Sequence, residues 1–125
     1  MYLFIGLKTI ILLSQRAKII DQIEYQRAEK ILIYLDILLN KNSVKVDYLK
    51  GIIAVNDPDS FVGTRIILTI ANTLAAFLKI PVVSLGAGKS EKELIKKGLL
   101  EMKRVRPGQI ALPIYSGKPN INLKS

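Results

Sequence analysis

The sequence predicts an α/β fold in which helices pack on a mixed sheet. Three short apolar runs separated by a few residues open the chain, and this spacing is typical of an antiparallel meander. Two longer segments with apolar residues at helical spacing follow, and a short apolar run comes after each of them. A meander followed by helix–strand–helix–strand cannot form a purely parallel sheet, so we expect a mixed sheet with right-handed crossovers.

The first half of the chain contains the meander and one helix. Apolar, β-branched runs predict strands at residues 2–6, 9–14 and 18–25. The period then changes, because apolar side chains recur at helical spacing through residues 26–40. This segment carries apolar residues on more sides than one core-facing stripe requires. We therefore expect part of its surface to be covered by another protein.

The next segment predicts a buried strand, a helix and a second strand. Residues 51–56 are almost uniformly apolar, and residues 81–85 form a similar run. Between them we expect a helix over residues 61–79. Ser60 can cap this helix, and the acids just before it suit the positive end of the helix dipole. Like the first helix, this helix is apolar on more than one side.

The end of the chain predicts one basic helix and a short strand. Ser90 and Glu93 form a capping box, which starts a helix that extends to about residue 105. A last strand is expected at residues 110–115. We divide the chain into an N-terminal subdomain, residues 1–85, and a C-terminal segment, residues 86–125.

Composition excludes several kinds of chemistry. The 125 residues include no Cys and no His, so thiol chemistry, a His-ligated metal and a His general base are impossible. The apolar start is too short to span a membrane and lacks the features of a secretory signal. A cytoplasmic protein without membrane contact is therefore expected.

The net charge of +9 is concentrated in the last third of the chain. Residues 86–125 carry 9 basic and 3 acidic groups, against 10 and 7 in residues 1–85. Such an excess is typical either of contact with nucleic acid or an acidic partner, or of a solvated basic helix. The candidate RNA contacts are Lys96, Lys97, Lys103, Arg104 and Arg106.

Two patterns suggest nucleotide or metal chemistry, but neither is complete. Residues 86–90 read GAGKS, yet Val83 stands where a P-loop needs its first glycine. Asp57 and Asp59 are paired acids without a visible third ligand, and they flank a helix start where acids are common. We expect no metal and no cofactor.

Residues 52–85 resemble a known family. Ser60, Phe61, Gly63 and Arg65 match the S-F-x-G-x-R turn of the TsaB/TsaD glycoprotease-like family, in its TsaB form. Residues 80–83, IPVV, match the strand that follows this turn in the family. The resemblance extends over residues 1–85 and about the last fifteen residues. Only one helix lies between these parts, so the chain looks like a shortened member that lacks most of the second subdomain.

The resemblance implies an actin-like ATPase (ribonuclease H-like) subdomain with a non-catalytic role. A TsaB-like protein supports a TsaD-like transferase in forming N6-threonylcarbamoyladenosine on tRNA, with TsaE joining the assembly, or it pairs with itself. tRNA is then reached only through the complex. The two N-terminal helices would form the partner interface, and the motif turn would be structural. The candidate interface residues are Ile31, Leu35, Leu38, Ile66, Ile70 and Leu74.

Departures from the family argue against catalysis. Gly6 stands where the wider superfamily has an Asp that places metal and phosphate, and Asp57 and Asp59 replace two glycines of the turn. Two other classes stay open: a small basic RNA-binding module using residues 90–106, and a degenerate nucleotide-binding protein. Exposed apolar helix faces would favour the scaffold, whereas a coherent Lys/Arg face on the last helix would favour RNA binding.

Overall fold

The computed structural model describes residues 1–57 and 59–112. Five strands and three helices make up this part of the chain, with two short 3-10 turns between them. The strands are β1 Tyr2–Ile5, β2 Thr9–Leu13, β3 Ile19–Glu24, β4 Gly51–Asn56 and β5 Val82–Gly86. The helices are α1 Ile31–Lys41, α2 Phe61–Leu78 and α3 Glu91–Met102, and the 3-10 turns are Ala28–Lys30 and Val46–Tyr48.

The strands form one mixed sheet in the order β3-β2-β1-β4-β5. The meander β1–β2–β3 is antiparallel, whereas β4 pairs in parallel with β1 on one side and with β5 on the other. In the β1–β4 pair, Tyr2 lies opposite Gly51 and Ile5 lies opposite Ala54. The predicted α/β class with a mixed sheet is confirmed.

Both faces of the sheet are covered, so β1 and β4 are apolar along most of their length. Leu3 and Ile52 point to the side that carries α1 and α2, where the larger core lies. Phe4 and Ile53 point to the opposite side, where α3 packs on them through Leu94, Ile95 and Met102. Burial on both faces is the reason why β1 and β4 read as continuous apolar runs rather than alternating ones.

Several predicted boundaries need correction. The first helix begins at Ile31 rather than residue 26, because the 3-10 turn Ala28–Lys30 precedes it. The third ends at Met102 rather than residue 105, since the Lys103 and Arg104 amides bond only three residues back. Strand β5 extends to Gly86, one residue past the predicted division at residue 85, and α3 packs on the same sheet as α1 and α2.

The last predicted strand is absent from the part of the chain that is described. Residues 110–112 instead run past α2, where the Asn72 side chain binds the backbone of Ala111. The Asn72 amide donates to the Ala111 oxygen at 3.0 Å, and the Ala111 amide donates to Asn72 Oδ1 at 2.8 Å. The rest of the predicted strand, residues 113–115, lies outside the described residues.

Helix α2 is unusually apolar for a helix on a sheet. Its 18 residues have a mean hydropathy of 1.6, which by length and composition is enough to cross a membrane, and 28% of them are buried. Core helices pass the same test of length and composition. The buried residues of α2 are Thr64, Ile67, Leu68, Ala71 and Ala75, which lie along one side of the helix. Much of the apolar surface of α2 is therefore exposed.

Candidate partner-binding face

The outer side of α1 is apolar, but it is not made of the residues predicted from the sequence. Ile31, Leu35 and Leu38 are buried beneath the helix in the chain's own core. They cannot form the predicted partner interface, so this part of the prediction is wrong. The exposed apolar residues of α1 are instead Leu32, Ile33 and Ile37, which are 52%, 55% and 45% exposed.

The outer side of α2 is apolar at both of its ends. Phe61 and Val62 are exposed in the first turn, and Phe77, at 78%, is the most exposed large apolar side chain of the described residues. The predicted interface residues of α2, Ile66, Ile70 and Leu74, are half-buried, and the last two pack against the core. We call the exposed set on the two helices the helical apolar face. It consists of Leu32, Ile33, Ile37, Phe61, Val62 and Phe77.

The motif turn has a structural role at the start of α2. Ser60 Oγ accepts a hydrogen bond from the Gly63 amide at 3.3 Å, which confirms Ser60 as the cap. A Cβ atom on Gly63 would lie 2.7 Å from Ser60 Oγ. The glycine therefore leaves room for the cap and does not serve packing between helices. The Arg65 guanidinium lies 5.2 Å from the centroid of the Phe61 ring, within the range of cation–π attraction.

The two acids before α2 belong to the same turn. The Asp59 amide donates to Asp57 Oδ1 at 2.9 Å, and the Ser60 amide donates to the Asp57 carbonyl oxygen at 3.0 Å. Within residues 1–57 and 59–112, no three acidic side chains come together in a way that could hold a metal ion. The paired acids therefore act, in the described structure, as elements of a helix-starting turn.

The end of β1 leaves no room for a side chain at residue 6. The Gly6 amide donates to the Thr9 carbonyl oxygen at 2.8 Å, and the buried Tyr25 hydroxyl donates to the Gly6 carbonyl oxygen. A Cβ atom on Gly6 would lie 2.9 Å from Phe4 Cε1 and 3.3 Å from the Thr9 oxygen. Burial raises the pKa of Tyr25, so its hydroxyl stays protonated as a donor. An Asp at this position would collide with the turn.

The predicted RNA contacts do not form one cluster. Lys96 and Lys103 line an apolar groove beside α3, and Lys92 lines it with them. Lys97 instead lies 4.0 Å from Glu101, its i+4 neighbour, as a weak surface ion pair. Arg104 and Arg106 are exposed beyond the end of the helix.

Comparison with known proteins shows the fold. No family model matches the sequence, and no curated protein is similar to it. Solved structures do match, among them YeaZ from Pseudomonas aeruginosa and a protein described as uncharacterized with similarity to peptidase YEAZ from Pseudomonas aeruginosa. The first has a TM-score of 0.59 at 21% identity over 68% of this chain, and the second 0.57 at 21% over 69%. The chain has the YeaZ fold.

The likeness to YeaZ is partial in length. The match covers 42% of the YeaZ chain and 44% of the second protein, so this chain spans less than half the length of either. YeaZ is another name for TsaB, so the fold predicted from the TsaB-like motif is confirmed. At this level of identity the likeness concerns the fold, and what the chain does is inferred from its own surfaces.

Sequence reasoning missed three residues that shape the YeaZ fold here. Thr64 is the variable position inside the motif, yet it is buried and bonded to Asp57. Tyr25 closes the turn at Gly6 from the end of the meander. Gly98 lets α3 approach the sheet, where an added Cβ would lie 2.6 Å from Ile53 Cδ1. Of these three residues, only Gly98 could have been noticed in the sequence, because a glycine inside a helix often marks a place where the helix packs closely on its neighbour.

Proposed function

We propose that this chain is a TsaB-like, non-catalytic scaffold subunit that binds a TsaD-like transferase. Its complex would form N6-threonylcarbamoyladenosine on tRNA in the cytoplasm, with TsaE joining and tRNA reached only through the assembly. The observation that carries the proposal is the helical apolar face, displayed on a YeaZ fold.

The helical apolar face favours a protein partner on energetic grounds. Burying one large aliphatic or aromatic side chain contributes about 1.5–3 kcal/mol relative to leaving it exposed. Between the two exposed ends of α2, Arg65 is exposed near the start, and the outward residues after it, Thr69, Thr73 and Ala76, are small. Small side chains allow a partner helix to approach closely, and helices pack on each other through such ridges and grooves. A second copy of the chain could use the same face in a two-fold dimer.

The turns at the strand ends support a role without chemistry. An actin-like site needs carboxylates for Mg²⁺ and glycines that let phosphates approach the backbone. Here Gly6 is packed against Phe4 and Thr9, and the Asp57 carboxylate accepts the Asp59 amide. Both turns are therefore occupied by their own hydrogen bonds.

Co-purification with the TsaD-like protein of the same organism tests the proposal. We expect the wild-type chain to form a complex of defined mass, measured by light scattering after size exclusion. Ile33→Asp and Phe77→Asp should abolish it, because each places a charge in an apolar contact. Leu100→Asp is the matched control, since Leu100 is 57% exposed on α3, on the opposite side of the sheet.

Two results would contradict the scaffold role. One is the absence of any complex with the TsaD-like protein when both are folded. The other is a complex that survives both helix-face variants and is lost with the Leu100 control. A homodimer that is disrupted by Ile33→Asp, with no TsaD-like complex, would assign the face to self-association instead.

A small RNA-binding module is the second candidate, because three lysines share one side of α3. Lys92, Lys96 and Lys103 line the same groove. Against this candidate, aliphatic rather than aromatic residues lie between them, and bases stack on aromatic rings. Filter binding of tRNA to the chain alone tests it. Submicromolar binding at physiological salt would favour the RNA-binding module, and binding only at low salt would not.

A further inference from the structure

A wide groove lies between α3 and the turn that joins β2 to β3. Its volume is about 750 Å³, and it has an aliphatic floor and a basic rim. We propose that this lysine-rimmed groove binds an acidic amphipathic helix of a partner protein. The floor is formed by Ala17, Ile19, Ile95, Leu99 and Leu100, and the rim by Lys18, Lys92, Lys96 and Lys103, with Glu91 at one end.

The charge of the rim selects an acidic partner. Four lysines line the groove against one glutamate. Among the residues that the structure describes, none of these four lysines lies within 4.0 Å of a carboxylate, since the ion pairs there involve Lys41 and Lys97. Carboxylates on a bound helix would supply the missing counter-charges, and the electrostatic attraction would also speed association.

The floor selects a partner with an apolar stripe. Ile19 and Leu100 are 54% and 57% exposed, although both line the groove. Leu99 is half-buried beside them. An amphipathic helix that lays leucine-like side chains into such a groove is a recurring mode of peptide recognition. Helix α3 has 12 residues, which corresponds to a length of about 18 Å, so the groove suits a partner helix of about three turns.

The same features disfavour nucleic acid as the occupant. RNA-binding surfaces combine basic residues with aromatic rings on which bases stack, and the groove contains no aromatic residue among those that line it. An apolar floor would also be left uncovered beneath a phosphate backbone. An amphipathic helix with acidic edges would cover the aliphatic floor and pair its carboxylates with the lysines of the rim.

The groove is independent of the proposed scaffold face. The helical apolar face lies with α1 and α2 on one side of the sheet, whereas α3 packs on the other. The acidic helix and a TsaD-like protein could therefore bind at the same time, and either proposal can fail without the other.

Fluorescence anisotropy with a designed peptide tests the groove. The probe is a labelled peptide of about 18 residues, with Leu at positions i, i+3, i+4 and i+7 and Glu elsewhere. We expect a micromolar Kd that weakens as salt is raised. The double variant Lys96→Glu/Lys103→Glu should weaken binding at least tenfold, and Leu100→Ser should weaken it several-fold. A scrambled peptide of the same composition, which lacks the apolar stripe, should bind at least tenfold more weakly.

Two control variants test whether peptide binding depends on the groove or only on overall charge and exposed apolar surface. Lys45→Glu changes an exposed lysine outside the groove, and Ile110→Ser changes a 71% exposed isoleucine that belongs neither to the groove nor to the helical apolar face. Both should leave the Kd within twofold of wild type. Circular dichroism establishes that each variant is folded before binding is measured.

Three outcomes would overturn the proposal. In the first, the scrambled peptide binds as tightly as the amphipathic one. In the second, the groove variants leave the Kd unchanged while folded. In the third, polyuridine RNA or vesicles of phosphatidylglycerol bind through Lys96 and Lys103 and the acidic peptide does not, which would assign the rim to a nucleic acid or a membrane surface.

Discussion

Thr64 and Asp57 exchange two hydrogen bonds across the turn between β4 and α2. The Asp57 amide donates to Thr64 Oγ1 at 2.9 Å, and the Thr64 hydroxyl donates to the Asp57 carbonyl oxygen at 2.8 Å. The Thr64 side chain is 3% exposed, so water cannot replace its hydroxyl. A variable position of the family motif thus contributes two hydrogen bonds to the turn.

Thr64→Val should destabilise the fold by about 1–3 kcal/mol, because it leaves the Asp57 amide without its acceptor and the Asp57 carbonyl oxygen with only the Ser60 amide as donor. The measurement is the free energy of unfolding in urea, monitored by circular dichroism. Thr69→Val is the control, since Thr69 is exposed on the same helix. It should change stability by less than about 0.5 kcal/mol. Equal effects of the two substitutions would contradict the role of the exchanged pair.

Ser60→Ala should cost about 1 kcal/mol of unfolding free energy, because the Gly63 amide loses its capping acceptor. Ser60→Thr keeps a hydroxyl at the cap and should retain most of the stability. Thermal and urea midpoints of the three proteins measure the difference. An alanine variant as stable as wild type would remove Ser60 from the cap.

Gly98→Ala should destabilise the packing of α3 by about 1–3 kcal/mol. The added methyl group would lie within 2.6–2.9 Å of three atoms of the Ile53 side chain. Ile53→Val removes the nearest of these atoms, so the double variant should recover part of the loss relative to the sum of the single changes. Strict additivity in this double-mutant cycle would show that the two residues do not meet.

Asp21 should make stability depend on acid pH. The Asn42 side-chain amide at 3.0 Å, then the Gln22 amide and Lys41, hold the pKa of Asp21 below its usual value. A lowered pKa in the folded state stabilises the fold above the unfolded pKa of about 4, and this contribution is lost as pH falls through the folded value. Unfolding free energies from pH 7 to pH 2 should therefore fall less steeply for Asp21→Asn than for wild type.

The control for Asp21 is Asp36→Asn on the exposed side of α1. It should leave the slope of stability against pH as in wild type. A wild-type slope in Asp21→Asn would mean that other carboxylates account for the acid sensitivity.

ATP with Mg²⁺ should give no saturable binding in calorimetry at physiological salt. The Gly6 turn has no space for a metal-placing carboxylate, and the Asp57 and Asp59 charges repel phosphate. Weak binding to the basic α3 region at low salt should fade as salt is added. Micromolar binding that resists salt would identify the chain as a nucleotide-binding protein and contradict the scaffold role.

The sheet was the most predictable part of the molecule. The bounds of β4 agree with the sequence prediction at both ends. Here a glycine begins an uninterrupted apolar run and a polar turn ends it, so the sequence marks both ends of the strand. The start of α1 was missed, since residues 28–30 form a 3-10 turn that continues the helical pattern of side chains. Helix ends are set by single hydrogen bonds, which periodicity does not report.

The candidate surfaces were predictable only in part. Excess apolar residues on α1 correctly indicated an exposed apolar side, but Leu35 and Ile33 both fall on apolar stripes. Which stripe faces the sheet depends on how the helix is rotated against β2 and β3, and the sequence does not report this angle. The lysine-rimmed groove could not be predicted from the sequence. Lys18 and Lys103 are far apart along the chain, and only the folded sheet brings both to the same groove.

The position of β1 between β2 and β4 has a consequence for the order of folding. The β1–β2 pairing joins residues that are close in sequence, whereas the β1–β4 pairing must bring Tyr2 to Gly51. Closing that long loop lowers chain entropy before any stabilising contact forms, so the meander should nucleate first. Substitutions in β2 should then slow refolding, while Val83→Ala in β5 should mainly speed unfolding. Until β4 pairs with β1, the backbone groups along one edge of β1 are unpaired. Rapid dilution from denaturant should therefore promote aggregation through that edge.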